Sequence, residues 1–515
     1  MPHAALDTLP LEVTSLIFNC LRPKSCGALH PDFTEPPDVY FHDGSQESSE
    51  PAWYSLQLQP LLSLCLVCKR LGNLAQPLLH REFLLGYGDS WRSNRFTWSG
   101  RLIGFMRTVA RRRDLAAQVT RIFIHPEIWE SHRSKTVVER WQSEQNPVWR
   151  SRCPFSWSEV RLSEDDLIAV LILELPNLQY CSLQVGVDTD EIAPGASFRA
   201  ALISRLPIKT VDLNLCATSC EVRKSYGKFS IIQRAFSLLN LSMGLETLNL
   251  HQYYGSVLRD DIDPIPALPN LKNLRLTFSW LNERTLQSLL SSCGSLQTFH
   301  YEATSNPERN DIGYYFYILT STGNIHFRLT DAVKHLSSHC KTLKSVHLDL
   351  RMRGFTQCTP EPWTAFSLEQ FTTLQHLFLT LDEFHSVYMV AHASPDQGLI
   401  TLLPSSIISL YLAGQITDEL SRMEESLIGL AEGVLSGQLP NLEVVRWDET
   451  ERLSAGFPVH TMFSAAGVDF SYSSWPLSKS TLGESQRIGH PSWFDDGFRG
   501  DLLNYVPPDE EDPDL

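Results

Sequence analysis

The sequence predicts an α/β chain in which a short, all-α motif of three helices precedes an irregular repeat solenoid, with parallel strands inside and helices outside. Three observations predict it. The 515 residues are too many for one ordinary globular core, so the chain needs several domains or an extended repeat. The first eighty residues carry helical apolar patterning. Beyond about residue 100, an apolar-x-x-apolar-x-apolar pattern recurs ten times.

The N-terminal motif, residues 1–83, opens with LPLEVTSLIFNCL at 9–21. Pro10 suits the first turn of a helix, where its missing N–H has no intrahelical partner in any case. Glu12 places an acid near the positive end of the helix dipole. Val13, Leu16, Ile17, Cys20 and Leu21 follow at the spacing of a one-face stripe, and Arg22-Pro23 ends it. Residues 24–58 change character. From Ser25 to Leu58 there is no Lys or Arg but much Asp, Glu, Pro and Ser, the composition of a mobile acidic insertion. Its aromatic residues Phe33, Tyr40, Phe41, Trp53 and Tyr54 leave open a second reading as a contact segment. Order resumes at PLLSLCLVCKRLGNLAQPLLHREF, residues 60–83. LLSLCLVC is apolar almost all round, and such a helix has to be buried on every side. Two or three short helices cannot bury it alone. Either the rest of the chain covers it, or a partner covers one face. The lone CxxC of Cys65 and Cys68 on this helix reads as packing.

Residues 84–475 hold the repeat. Its copies are VTRIFI, LQYCSL, IKTVDL, LETLNL, LKNLRL, LQTFHY, LKSVHL, LQHLFL, IISLYL and LEVVRW. They start at residues 119, 178, 208, 245, 271, 296, 343, 374, 407 and 442, so successive copies begin 25 to 59 residues apart. Strand side chains alternate faces. If the three apolar positions point into the core, the residue between the last two points to the concave inner face. That row reads Phe123, Ser182, Asp212, Asn249, Arg275, His300, His347, Phe378, Tyr411 and Arg446. The residue after each copy gives a second row, His125, Gln184, Asn214, His251, Thr277, Glu302, Asp349, Thr380, Ala413 and Asp448. The aromatic, charged and amide mix suits protein recognition. Insertions near 126–160, rich in tryptophan, and near 303–330, carrying YYFYIL, interrupt the pattern. MFSAAGVDFSYSSW reads as a last helix and strand. Residues 476–515, ending in PPDEEDPDL, read as a disordered acidic tail.

The two N-terminal blocks together resemble an F-box, with its LPxE start, apolar first helix and L-x-L-x-V-C-K-R core followed by a further helix. The resemblance covers about 40 residues, and the acidic insertion departs from the family pattern. Leu71-Gly72 stands after the Lys-Arg pair, where the family usually has tryptophan. The resemblance implies docking onto the Skp-family adaptor of a cullin–RING ubiquitin ligase. The implied adaptor contacts are Leu9, Pro10, Val13, Ile17, Leu61, Leu62, Leu66, Val67, Cys68 and Lys69. The repeats resemble the irregular, cysteine-containing leucine-rich repeats found after F-boxes in fungal proteins. LNERTLQSLLSSCGSLQTFHYE and TDAVKHLSSHCKTLKSVHLDL align without a gap, each with a cysteine, Cys293 and Cys340, three residues before the strand leucine.

A net charge of −16 argues against a nucleic-acid or anionic-membrane surface as the main partner. The start of the chain does not read as a secretory signal, and the densest apolar run, LIAVLIL, is too short to span a bilayer. Eleven scattered cysteines read as reduced thiols in the cytoplasm or nucleus. No catalytic constellation and no cofactor motif is recognisable. His335 and His339 with Cys340 have metal-like spacing but fall inside a repeat helix. His251, His300 and His347 share the inner face and could in principle assemble a site, but no paired carboxylate or nucleophile accompanies them at a fixed spacing. The expectation is therefore no enzyme activity, no metal and no cofactor. The chain is read as the substrate-recognition subunit of an SCF-type ligase that binds an unidentified target protein on its concave face. The alternative is a stand-alone repeat scaffold with a degenerate F-box.

Overall fold

The structure is a computed structural model that describes residues 9–20, 53–85, 98–124, 171–186, 206–216, 235, 238–251, 253, 265–279, 281–303, 327–351, 366–380, 398–414, 420–449, 453–454, 458–473 and 475. The tryptophan-rich insertion, the YYFYIL segment and the acidic tail lie outside these residues, as does the acidic insertion up to residue 52.

Three helices, α1 (Leu11–Cys20), α2 (Trp53–Val67) and α3 (Lys69–Leu79), form the first unit. Its core is small, with Phe18, Leu71 and Ala75 buried and Ile17, Leu64, Cys65, Cys68, Leu74 and Leu78 packed around them. Gly72 permits the close approach of α3 to α2, since a Cβ there would stand 3.0 Å from the Cys65 carbonyl oxygen. Two expectations change. The segment read as a loop to residue 58 is helical from Trp53, so Pro60 lies inside α2 rather than opening it. In α1 the inward face carries Thr14 and Phe18, while Val13 and Leu16 of the sequence stripe face solvent. The helix is apolar on two faces, and the described part of the unit packs on the one that carries Phe18.

The remainder is an α/β layer built on one open, all-parallel sheet. Its twelve strands run in strict chain order. They are β1 (Glu82–Leu85), β2 (Arg121–Ile124), β3 (Tyr180–Gly186), β4 (Thr210–Cys216), β5 (Thr247–His251), β6 (Asn273–Ser279), β7 (Thr298–Ala303), β8 (Ser345–Asp349), β9 (His376–Thr380), β10 (Ser409–Ala413), β11 (Val444–Asp448) and β12 (Asp469–Ser473). Ten coincide with the repeat copies, and β12 is the last strand expected from DFSYS. β1 is an addition to the expected set: it follows α3 directly and straddles the boundary drawn at residue 83.

The helices described between strands lie on the outer side, among them α4 (Trp98–Arg111), α5 (Arg113–Ala116), α6 (Glu283–Ser292), α7 (Leu329–Leu336), α8 (Gly398–Leu402), α9 (Leu420–Leu435) and α10 (Val459–Ala465). Local signals start two of them. The Asn282 side chain accepts from the Thr285 N–H at 2.8 Å, and Asp331 accepts from the Arg328 N–H at 2.8 Å. One continuous core joins the two layers. The first and fourth residues of every copy are buried in it, from Val119 and Ile122 to Leu442 and Val445.

A polar device holds neighbouring turns together. In six of the ten copies an Asn, Thr or Ser immediately before the first apolar position donates from its side chain to a carbonyl of the preceding repeat. Asn177 reaches Ala117 at 2.7 Å, Asn270 reaches Met243 at 2.7 Å, Thr342 reaches Leu296 at 2.8 Å, Thr373 reaches Leu343 at 2.9 Å, Ser406 reaches Leu374 at 2.7 Å and Asn441 reaches Ser405 at 3.0 Å. These bonds satisfy carbonyls at the turns, which the parallel ladder cannot reach. No helix among the described residues is long and apolar enough to cross a membrane.

Candidate functional site

Two surfaces carry the sequence-predicted site residues. The first is on the helical unit. Among the described residues, nine large apolar side chains are exposed, and six of them are here: Leu11, Val13 and Leu16 on α1, and Leu62, Leu66 and Val67 on α2. Leu66 is 82% exposed and Leu16 67%. No described part of the chain covers the outer face of α2, so of the two alternatives, cover by the described chain does not hold. Of the remaining expected adaptor contacts, Pro10 and Lys69 are exposed and Leu9, Ile17 and Cys68 are half-buried. The Leu9 carbonyl accepts from Arg70 Nη2 at 2.6 Å, which ties the start of α1 to α3. Leu61 is fully buried. It points inward on α2 and serves the unit's own packing, so it leaves the contact set. Leu11 and Leu16 join the exposed surface in its place. The stripe in LEVTSLIF already contained Leu16, but its exposure depends on which of two apolar faces docks.

The second surface is the face of the sheet turned away from the helices. The row read from the sequence is one continuous ladder. Phe123 pairs in register with Ser182, Ser182 with Asp212, Asp212 with Asn249, Asn249 with Arg275, and Arg275 with His300. The ladder continues through His347, Phe378 and Tyr411 to Arg446.

From Ser182 to Arg275 the row is polar. Asp212 accepts from the Tyr180 hydroxyl and from Asn249 Nδ2, the latter at 2.6 Å. Burial pushes its carboxyl above the usual carboxylate range, and these two donors pull the other way. Arg275 Nη2 lies 3.9 Å from Glu302 Oε1. At the far end, Arg446 is bonded to Asp469 at 2.6 Å.

The second half is closed. The His300 and His347 rings stack at 3.9 Å, and His347 stacks on Phe378 at 3.8 Å. Trp475, just after β12, stands edge-on over Phe378 and Tyr411 at 5.5 and 6.3 Å. Arg351 anchors it by donating from Nη1 to the Trp475 carbonyl at 2.7 Å. The same guanidinium grips Asp349 with two bonds, at 2.7 and 3.0 Å, and lies 3.7 Å from Asp448. Phe378 and Tyr411, expected as target contacts, are only 1% and 2% exposed and leave that set. The chain's own Trp475 covers both rings, and removing their apolar surface from solvent is favourable. No protein-family model and no curated protein matches the chain.

At HLSSHC the two histidines, read as part of a repeat helix, bond to neighbouring groups of the preceding repeat. His335 Nε2 turns to Glu283 Oε1 at 3.1 Å, and His339 Nε2 turns to the Leu290 carbonyl at 3.1 Å. Cys293 is buried, its Sγ donating to the Leu289 carbonyl, and burial pushes its thiol up to about 12. The fold brings together a different constellation that sequence reasoning misses. The inner-face histidines do have a carboxylate beside them: Glu302, of the second row, has Oε1 2.9 Å from His300 Nε2. The side chain of His251, the third histidine of that reading, is outside the described set. The signal is present in the HxE of LQTFHYE, because residues two apart on a strand share a face.

Proposed function

We propose that this chain is the substrate-recognition subunit of an SCF-type cullin–RING ubiquitin ligase. Its helical unit would act as an F-box that docks a Skp-family adaptor, and the leucine-rich-repeat-like solenoid would hold a target protein. The observation that supports this most is the concentration of exposed apolar side chains on α1 and α2. Monomeric proteins seldom leave such a patch uncovered, and it falls on the segments that resemble the F-box. A helical groove or ridge of this kind is a common docking mode.

In this reading the chain contributes no catalytic residue. It works by proximity, turning a bimolecular transfer to the target into an effectively intramolecular one. With Phe378 and Tyr411 under Trp475, the target would contact the row around Asp212, Asn249 and Arg275. The compartment would be the cytoplasm or nucleus, in keeping with free thiols at Cys65, Cys68, Cys181, Cys293 and Cys340.

A stand-alone scaffold with a degenerate F-box is the second reading. It is favoured by the acidic stretch between α1 and α2, where the family has a short turn. The test is a purified-component pull-down with a Skp-family adaptor, comparing wild type with the Leu9→Ala, Pro10→Ala double variant. Capture of wild type and loss of the variant supports the ligase reading. If folded wild-type chain is not captured, the scaffold reading replaces it.

A further inference from the structure

We propose that His300, Glu302 and His347 form a binding site for one divalent transition metal ion of the zinc class. Three features of the sheet create it. β7 and β8 pair so that His300 stands directly opposite His347, and their imidazoles lie face to face 3.9 Å apart. Glu302 lies two residues beyond His300 on the same face, with Oε1 2.9 Å from His300 Nε2. One ligand atom from each of the three residues lies within 4.8 Å of the others.

Zinc–nitrogen and zinc–oxygen bonds of about 2.0–2.1 Å place tetrahedral ligand atoms roughly 3.4 Å apart. Closing the set needs a movement of about 1.4 Å at its widest. It also needs one ring to turn out of the stack, because face-to-face imidazoles aim their in-plane lone pairs along parallel lines. His347 is held between His300 and Phe378, so His300 and the flexible Glu302 side chain would make the move. Two imidazoles and a carboxylate suit a borderline cation of the zinc type better than magnesium or calcium, which favour all-oxygen sites. Three protein ligands leave a fourth position for water.

The surroundings set the chemistry further. His300 and His347 are 9% and 7% exposed, so little competing solvent reaches the site. Asp349 pairs in register with Glu302 but is gripped by Arg351. It would act as a supporting charge rather than a ligand. Two guanidiniums oppose the ion: Arg351 shares the field of Glu302 but is neutralised by Asp349, and Arg275 Nη2 lies 3.9 Å from the same Glu302 oxygen. The Arg275 guanidinium occupies the electrostatic role a metal would take over, so the two compete. The site is independent of the ligase reading.

The competition yields a test in two directions. Metal-free full-length chain is titrated with Co2+, followed by its visible d–d absorption, and the ion is then displaced with Zn2+. Thermal melts confirm folding of each protein. The expected result is one Co2+ per chain with a band displaced by Zn2+. Glu302→Gln should lose affinity by at least about tenfold, and Arg275→Met should bind more tightly than wild type. Absence of binding in wild type overturns the proposal, as does equal affinity in folded Glu302→Gln. Should Glu302→Gln fail to fold, Arg275→Met decides: unchanged or weaker binding refutes the site.

Discussion

Truncating Leu66 separates a docking role from a folding role. Its side chain is 82% exposed, so Leu66→Ala removes almost no buried contact in the isolated chain. Unfolding free energy should change by less than about 0.5 kcal/mol, the range of ordinary surface substitutions. Docking reverses the balance. Fully burying a leucine contributes roughly 2 kcal/mol, and four-fifths of that remains to be realised at Leu66. The variant should therefore bind a Skp-family adaptor about 1.5 kcal/mol more weakly, a loss of roughly tenfold. Together with Leu16, Leu62 and Val67, the gross gain from covering the patch is about 5 kcal/mol, a substantial share of a micromolar interaction. The assay pairs isothermal titration with denaturant unfolding of the same two proteins. Unchanged affinity with intact folding would refute the assignment of this face to the adaptor.

Other outcomes follow from single features. Trp475→Ala uncovers Phe378 and Tyr411 and should lower stability by about 1–2 kcal/mol, less than a fully buried tryptophan because Trp475 itself is only half-buried; denaturant unfolding measures it. Gly294→Ala should be more damaging than its size suggests. A Cβ there would sit 2.1 Å from the Pro269 carbonyl oxygen, so backbone has to move, at a cost of about 1–3 kcal/mol, readable as a lowered melting temperature. Cys181 and Cys293 are buried with thiols pushed up by burial, so iodoacetamide at about pH 8 should leave both unlabelled in the native chain and label both after denaturation, as read by peptide mass spectrometry.

The repeat was legible because its signal is strictly periodic. In each copy the fourth and sixth residues share one face of the strand and the first enters the same core from the turn before it, so aligning Leu271, Leu274 and Leu276 with Leu343, Val346 and Leu348 gives register as well as topology. β1 escaped because EFLL lacks the preceding apolar anchor of the other copies. The bridge from Asn270 and its equivalents was hidden in the LPNL motifs at 175–178, 268–271 and 439–442, where asparagine reads as an ordinary turn residue. Which of the inner-face residues remain open to a partner was not legible at all. That depends on Trp475, 124 residues beyond its anchor Arg351, returning across the sheet to Phe378 and Tyr411. Periodicity carries no information about such a contact. Likewise, α1 has two apolar stripes, and only the packing of Phe18 with Leu71 and Ala75 of α3 tells which one faces out.

The most direct measurement of the central claim is light scattering after size-exclusion chromatography, on the full chain alone and mixed with a Skp-family adaptor. The expected result is a 1:1 complex whose formation is abolished by Leu66→Asp, with the variant eluting like the free wild-type chain. A chain that ignores the adaptor, or that covers its α1–α2 patch by pairing with a second copy of itself, would contradict the claim.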